Sequence, residues 1–144
     1  MSQVETVEIK CPKCGHNDKV DVFRALNASV DPELKQDLME GKMNFFECPV
    51  CRTSGFIPSP FVYHDMELEI FIHYFPLESL SDVELEDIFS PDGKVKLQFD
   101  DNPAGEIPEY IRSAKIVFSM EELVRYIRFR DKLSNVYDNQ DEPL

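Results

Sequence analysis

The four cysteines of the chain occur as two Cys-Pro-x-Cys pairs, and this arrangement constrains the fold more than any other feature of the sequence. The pairs are Cys11 with Cys14, in CPKC, and Cys48 with Cys51, in CPVC. A Cys-x-x-Cys turn directs both of its sulfur atoms to one side, so two such turns can supply the four thiolates of a tetrahedral metal site. We therefore expect a single metal site made by all four cysteines.

The residues that follow the two pairs differ, and the pairs are far apart. Gly15 suits the left-handed conformation that the end of such a turn often needs, but Arg52 stands at the equivalent position. The second turn is therefore either wider or strained at Arg52. The 33 residues between the pairs, positions 15 to 47, exceed the roughly 15–20 of compact zinc modules. This excess costs only about half a kcal/mol of loop entropy, against roughly 10–16 kcal/mol from zinc binding.

Zinc is the metal that we expect at this site. Four thiolates leave no open coordination position, and a closed site of this kind is typical of structural zinc. Iron is the alternative, because tetrahedral sites with four sulfur ligands also hold iron for electron transfer. A third hypothesis treats each pair as a redox dithiol, but such pairs usually lie at a helix N-terminus. Strand-like residues precede both pairs here, which disfavours that hypothesis.

The acidic composition argues against a nucleic-acid partner. The chain has 28 Asp and Glu residues against 15 Lys and Arg residues, and its formal net charge is −13. Such a charge repels a phosphate backbone unless the basic residues gather on one face. In the most basic segment, RYIRFRDK, Arg125 and Arg128 share one side of a predicted helix, with acidic residues interleaved. That pattern is typical of a solvated helix face.

Neither a membrane span nor a secretory signal is predicted. Hydrophobic residues make up 42% of the chain, enough for a packed core. The longest apolar run, IFIHYF, contains a histidine and falls well short of the roughly 20 residues of a membrane span. The N-terminus MSQVETVEIK lacks a basic region followed by an apolar stretch. We therefore expect a cytoplasmic protein with no membrane partner, whose thiols stay reduced.

Alternating apolar and polar residues predict strands around the cysteine pairs. VETVEIKC and KVDVFRALNASV flank the first pair, which predicts a hairpin with the cysteine turn at its tip. MNFFECPVC predicts a further strand that leads into the second pair. Between them, DPELKQDLMEGK predicts a short helix with Asp31 as its N-cap, Pro32 at its first position and Gly41 at its end.

The second half of the chain predicts more strands and a long C-terminal helix. GFIPSPFVYHD is expected to be irregular, whereas MELEIFIHYFP is apolar on both faces at its centre, as in an interior strand. A short helix capped by Ser81 is expected next, and then short strands in KVKLQF and AKIVFS. The final helix, SMEELVRYIRFRDKLSNV, begins with a capping box of Ser119 and Glu122, and its stripe includes Leu123 and Ile127.

The histidines supply the remaining candidates for chemistry. His64 and Asp65 form an acid–base pair in an enzyme hypothesis, yet adjacent residues of an extended chain point to opposite sides. A local hydrogen-bonding role is therefore favoured for His64, and His73 is expected to be a core or edge histidine. His16 lies two residues beyond Cys14 but is left out of the ligand set, because four cysteines complete it. No phosphate-binding, catalytic-serine or His-Glu-x-x-His motif occurs.

Three segments resemble the CpXC domain, a family of prokaryotic proteins of undetermined function. They are CPKCG near the N-terminus, CPVC after DPELKQDLMEGKMNFFE, and KIVFSMEELVRYIR near the C-terminus, and YHDM adds to the likeness. The resemblance covers nearly the whole chain, from Val4 to Val136. It implies a zinc-ribbon-like architecture with a metal site and no known activity. Arg52, where a glycine would be expected, departs from the pattern.

These observations predict an α+β fold in which a zinc-ribbon-like four-cysteine site is joined to an antiparallel sheet, with a C-terminal helix packed on it. Residues 1–137 are expected to form one domain, and residues 138–144 an acidic disordered tail. The expected function is that of a zinc-binding, non-enzymatic domain that interacts with a protein partner. The alternatives are an electron-transfer protein with iron at the four cysteines and an enzyme that uses His64 and Asp65.

Overall fold

The structure of the chain is a computed structural model that describes residues 3–96 and 108–140. These residues form seven strands and four α-helices, together with a 3-10 turn at Leu77–Ser79. The strands are β1 (Gln3–Lys10), β2 (Asn17–Asn27), β3 (Phe45–Glu47), β4 (Ser54–Phe56), β5 (Phe61–Asp65), β6 (Ile70–Tyr74) and β7 (Lys115–Val117). The helices are α1 (Pro32–Met39), α2 (Asp82–Ile88), α3 (Glu109–Arg112) and α4 (Met120–Gln140).

Five strands form one mixed sheet in the order β1-β2-β5-β6-β7, and β3 and β4 form a separate two-stranded sheet. β1 pairs with β2 and β5 pairs with β6 in antiparallel orientation. The pairings of β2 with β5 and of β6 with β7 are parallel. The predicted α+β class is confirmed, but the main sheet is mixed because long connections, rather than hairpins, join the parallel neighbours.

Each cysteine pair lies at the tip of an antiparallel hairpin. In the first hairpin, the last pair in register is Lys10 with Asn17, just before and after the CPKC turn. In the second, Glu47 pairs with Ser54 on either side of CPVC. The hairpin that the sequence predicts around the first pair is confirmed. The small β3–β4 sheet supplies its counterpart around the second pair.

Helix α4 covers one face of the main sheet and closes the larger core. Leu123 and Ile127 of α4 are fully buried and belong to one cluster with Tyr63, Ile72 and Val117 of the sheet. Full burial of a Leu or Ile side chain contributes about 1.5–3 kcal/mol, so this contact fixes the helix on the sheet. Ser119 Oγ accepts a hydrogen bond from the Glu122 amide at 3.1 Å, which confirms the predicted N-terminus of the helix.

The segment GFIPSPFVYHD is more regular than its prolines predict. It contributes the end of β4 and the whole of β5, which is a central strand of the main sheet. Pro58 and Pro60 lie between the two strands, where the chain passes from the small sheet to the large one. β6 is shorter than predicted and begins at Ile70, because Glu69 takes a positive φ of 54° in the preceding turn.

Two other predicted segments lie partly outside the described residues. In the KVKLQF segment, Val95 pairs with Phe89 as an isolated bridge, and residues 97–99 lie outside the described residues. Helix α4 continues through Gln140, beyond the boundary expected at 137, while residues 141–144 of the expected tail lie outside the described residues. None of the helices in residues 3–96 and 108–140 has the length and apolar character that a membrane span requires.

Candidate metal centre

The two hairpin tips bring the four cysteines together at one point. The sulfur atoms of Cys11, Cys14, Cys48 and Cys51 all lie within 4.8 Å of one another. Two short distances cross between the hairpins: Cys11 Sγ is 3.6 Å from Cys51 Sγ, and Cys14 Sγ is 3.4 Å from Cys48 Sγ. All four cysteines are free thiols rather than disulfides. The sequence-predicted site residues therefore converge.

The spacing of the sulfur atoms fits a tetrahedral metal ion. With zinc–sulfur bonds of about 2.3 Å, the sulfur atoms of a regular tetrahedron lie about 3.8 Å apart. The observed distances of 3.4 and 3.6 Å and the upper limit of 4.8 Å bracket that value. Because the ligand set is four sulfurs, the centre suits zinc or iron rather than a metal that prefers oxygen ligands.

The two cysteine turns have the same backbone hydrogen bonds. In the first turn, the Cys11 amide donates to the His16 carbonyl at 2.8 Å, and the Gly15 amide donates to the Cys11 carbonyl at 3.0 Å. In the second, the Cys48 amide donates to the Thr53 carbonyl at 2.8 Å, and the Arg52 amide donates to the Cys48 carbonyl at 2.9 Å. The turns are thus structural repeats, which explains why each delivers two sulfurs to the same point.

The second turn has normal geometry despite its arginine. Arg52 has a φ of +65°, close to the +77° of Gly15. The sequence left open a wider turn or a strained Arg52, and the structure shows the strained one. This left-handed conformation costs a residue other than glycine about 1–2 kcal/mol.

The first cysteine of each pair is buried and the second is more accessible. Cys11 and Cys48 are 2% and 0% exposed, whereas Cys51 is half-buried and Cys14 is exposed. Cys11 and Cys48 form a small cluster with buried Phe46, and partly buried Ile9, Val20 and Ile57 pack against it. This second core is separate from the one beneath α4 and contains few apolar side chains.

Hydrogen bonds with Thr53 favour the ionised form of Cys51. The Cys51 thiol donates to Thr53 Oγ1 at 3.2 Å, and the hydroxyl donates to the sulfur once the thiol is ionised. This side-chain contact, followed by the Thr53 backbone amide, lowers the pKa of Cys51 to about 6, because hydrogen bonds to a thiolate stabilise it. Thr53 was not identified from the sequence, although its position two residues after the second pair is a usable signal for a residue that supports the site.

Cys14 is the thiol of the cluster whose ionisation is disfavoured, whereas ionisation of Cys11 is favoured. Backbone amides, that of Cys14 foremost, lower the pKa of Cys11. At Cys14, an exposed residue, the backbone amide of His16 acts to lower the pKa, but partial desolvation of the sulfur atom and hydrogen bonds with the three neighbouring thiols outweigh it and raise the pKa to about 12. Thiolates this close repel one another, so a cation is needed for all four to ionise together. His16 itself contributes backbone atoms and no ligand.

His64 and Asp65 do not form a catalytic pair. They are consecutive residues of β5, not of a loop, and their side chains lie on opposite faces of the sheet. His64 Nε2 is 2.7 Å from the Tyr110 hydroxyl. Asp65 accepts hydrogen bonds from the Leu68 amide at 3.0 Å and from the Ser29 hydroxyl at 3.4 Å. The loop placement expected for His64 is therefore wrong, and its hydrogen bond is not local, because Tyr110 lies 46 positions away in the sequence.

His73 occupies the core position expected of it, but it is not fully satisfied. Its side chain is 9% exposed, and it stacks on Phe75 with ring centroids 5.7 Å apart. Its Nε2 atom has no hydrogen-bond partner among the described residues. Burial lowers the pKa of His73, which keeps the imidazole neutral.

Comparison with known families gives one match. A family model described as CpXC protein matches residues 9–137, a range that includes both cysteine pairs, the main sheet from β2 onward and most of α4. No curated protein and no solved structure matches the chain.

Proposed function

Because the chain belongs to the CpXC protein family, we propose that it is a non-enzymatic protein-interaction domain whose four cysteines hold one structural zinc ion. The family assignment agrees with the resemblance predicted from the cysteine motifs and the C-terminal segment. The observation that carries the proposal is the convergence of four thiols within 4.8 Å, from two hairpins whose turns have the same backbone hydrogen bonds. The matched range of the family includes all four cysteines.

A structural role follows from how little else holds the cysteine-bearing part of the chain together. The small core around the site has three buried residues, and two of them are Cys11 and Cys48. A two-stranded hairpin with so little to bury is marginal in water, whereas zinc binding contributes roughly 10–16 kcal/mol in small domains. The metal thus replaces a hydrophobic core for β3 and β4 and joins their hairpin to the tip of β1 and β2.

A structural zinc ion is our first candidate because closed sites with four thiolate ligands are typical of structural zinc. Four protein ligands leave no place for water or substrate, so the centre lacks the open position of catalytic zinc sites. Iron at the same four sulfurs would make an electron-transfer centre, and it is the second candidate. Tight thiolate coordination presupposes reduced cysteines, so we place the protein in a reducing compartment, the cytoplasm.

An interaction role is favoured over catalysis because the described residues do not assemble the catalytic constellation that the sequence suggested. His64 pairs with Tyr110, and Asp65 binds Ser29 and a backbone amide on the other side of β5. An acid–base pair must share a substrate, and these two side chains do not share a side of the sheet.

The experiment that tests the proposal is the metal content per chain of protein purified without a metal-affinity step, together with its visible spectrum. One zinc ion per chain and no visible absorption would support structural zinc. A red protein with one iron would replace the proposal with electron transfer. A metal-free protein whose thiols oxidise in pairs would contradict both metals and favour the dithiol alternative.

A further inference from the structure

A groove lies between helix α4, the C-terminal end of α1 and the small β3–β4 sheet, and its volume is about 350 Å³. Leu38 and Met39 line it from α1, Phe56 from β4, and Met120 and Val124 from α4. We call it the α1–α4 groove. Its walls are mainly apolar, although it is open to solvent on one side, where the Phe56 side chain is 53% exposed.

Two arginines give the groove a charge that is unusual for this chain. Arg125 and Arg128 of α4 line it, and of the described residues in its walls only Glu121 is acidic. Neither guanidinium forms an ion pair with another residue in the described ranges, where the basic partners of carboxylates are Arg24, Lys35 and Lys42. Both guanidinium groups are therefore available to a carboxylate of a partner.

We propose that the α1–α4 groove is the docking site for an acidic peptide segment of a partner protein. A large apolar side chain of the peptide would lie between Phe56 and Val124, with carboxylates beside Arg125 and Arg128. Exposed ion pairs contribute little affinity by themselves, so the apolar contact supplies most of the binding and the arginines select the sign of the peptide's charge. The inference rests on the proposed function, which specifies neither a binding surface nor a class of partner. The groove and the acidic peptide supply these two.

The charge of the chain disfavours two highly charged occupants, nucleic acid and a second copy of the chain, more strongly than a short acidic peptide. A net charge of −13 repels nucleic acid and also repels a second copy of the same chain. An acidic peptide meets the same repulsion at long range, but at the groove it finds two cations that have no partner among the described residues. A volume of about 350 Å³ lies at the low end of the range for ligand sites, about 300–1,000 Å³, and suits one or two side chains.

The groove depends on the metal centre through Phe56. Phe56 packs edge-on against Phe45 of the neighbouring strand, with ring centroids 5.7 Å apart. Both aromatic residues belong to the hairpin whose tip holds Cys48 and Cys51. A metal ion that fixes this hairpin therefore also fixes one wall of the groove, which connects the metal site to recognition.

The test uses the metal-loaded full-length chain and three fluorescein-labelled peptides of equal length. One alternates Asp and Glu with Leu and Phe; the second has Lys in place of each acidic residue; the third has Ser in place of each apolar residue. Fluorescence polarisation should show that the first peptide binds about tenfold more tightly than either of the others. Comparable binding of the basic peptide would overturn the proposal.

Two pairs of variants locate the binding. Arg125→Glu combined with Arg128→Glu should weaken binding of the acidic peptide about tenfold, while Lys132→Glu, an exposed change of the same sign outside the groove, should leave it unchanged. Phe56→Ser should weaken binding, whereas Phe129→Ser should not, although both rings are about half exposed, at 53% and 54%. The reverse result would place the peptide elsewhere and overturn the proposal.

Two further readouts separate this inference from its rivals. Sedimentation of the unmodified chain should show a monomer; a dimer that the two arginine substitutions dissociate would assign the groove to a second copy and overturn the peptide. Metal content is measured on the same samples. Metal-loaded protein that binds no peptide overturns the groove alone. Protein that is purified without metal and still binds the acidic peptide overturns the zinc proposal and the dependence of the groove on the metal, but it supports the groove as the peptide site.

Discussion

Arg52 ends the second cysteine turn in the backbone conformation with which Gly15 ends the first. Their φ angles are +65° and +77°, and each residue donates its amide to the carbonyl of the first cysteine of its own pair. Only glycine reaches this region without a steric penalty. The two turns are therefore equal in geometry and unequal in strain, and the strain lies at a residue that could be changed without touching a ligand.

The substitution Arg52→Gly is expected to stabilise the protein by about 0.5 kcal/mol, since relief of the left-handed strain exceeds the added freedom of the unfolded chain. Urea unfolding at one fixed free zinc concentration measures the effect. Gly15→Arg is the matched control and should destabilise by about 1 kcal/mol. A Cβ at Gly15 would lie 3.6 Å from Lys10 Cε, which is an ordinary van der Waals contact. The loss of stability in Gly15→Arg would therefore reflect backbone strain rather than a steric clash. A less stable Arg52→Gly variant would show that the Arg52 side chain itself is needed.

Thr53 should tune the affinity of the metal site. Its hydroxyl is 3.2 Å from Cys51 Sγ, and removal of such a supporting hydrogen bond typically weakens metal binding about tenfold or more. Thr53→Val keeps the shape of the side chain and removes the hydroxyl, so it should weaken zinc binding by about that factor in competition with a chromophoric chelator. Thr6→Val, which removes a hydroxyl that donates to Asp21 on the first hairpin, should leave the zinc affinity unchanged.

Sequence reasoning succeeded where the determinants are local. Each cysteine turn is set by a few consecutive residues, and the start of α4 by the Ser119–Glu122 capping box, so both could be predicted. β5 could not, because a proline-flanked segment becomes a central strand only through its pairing with β2 and β6. The contact of His64 with Tyr110 joins residues 46 positions apart, and no sequence pattern specifies it. The choice between a wide turn and a strained one at Arg52 likewise required the backbone φ angle of that residue.

His73 should make the stability of the fold depend on pH. Burial lowers the pKa of His73, so the unfolded chain takes up a proton near pH 6.5 that the folded chain takes up only at lower pH. Stability is therefore complete above that pH and declines as the pH falls through it toward the folded-state pKa. In His73→Phe, urea unfolding between pH 7 and pH 5 should show a slope smaller by up to about 1.4 kcal/mol per pH unit.

The same variant tests the unpaired nitrogen of His73. Because Nε2 is buried without a partner among the described residues, His73→Phe should be at least as stable as the unchanged protein at pH 7. The metal site responds to acid in both proteins, so its effect cancels when the two are compared. The pKa of His64 is also lowered by burial, so His64 contributes to the pH dependence of the unfolding free energy in both proteins. If the unfolding free energy of His73→Phe depends on pH as steeply as that of the unchanged protein, His73 is not a source of the pH dependence.

Removal of the metal should open one end of the molecule and leave the other folded. The core beneath α4 includes Tyr63, Leu123 and Ile127, whereas Cys11, Phe46 and Cys48 form a separate cluster. A zinc chelator should therefore abolish hydrogen-exchange protection at the amides of Cys48 and Arg52, which bond within the second turn, while the amides of β5, β6 and α4 stay protected. Cys48→Ser should reproduce the pattern without chelator, and Cys14→Ser, at the exposed ligand, should do so as well if all four thiols bind one ion. Loss of protection throughout the chain would show instead that the two cores fold as a single cooperative unit.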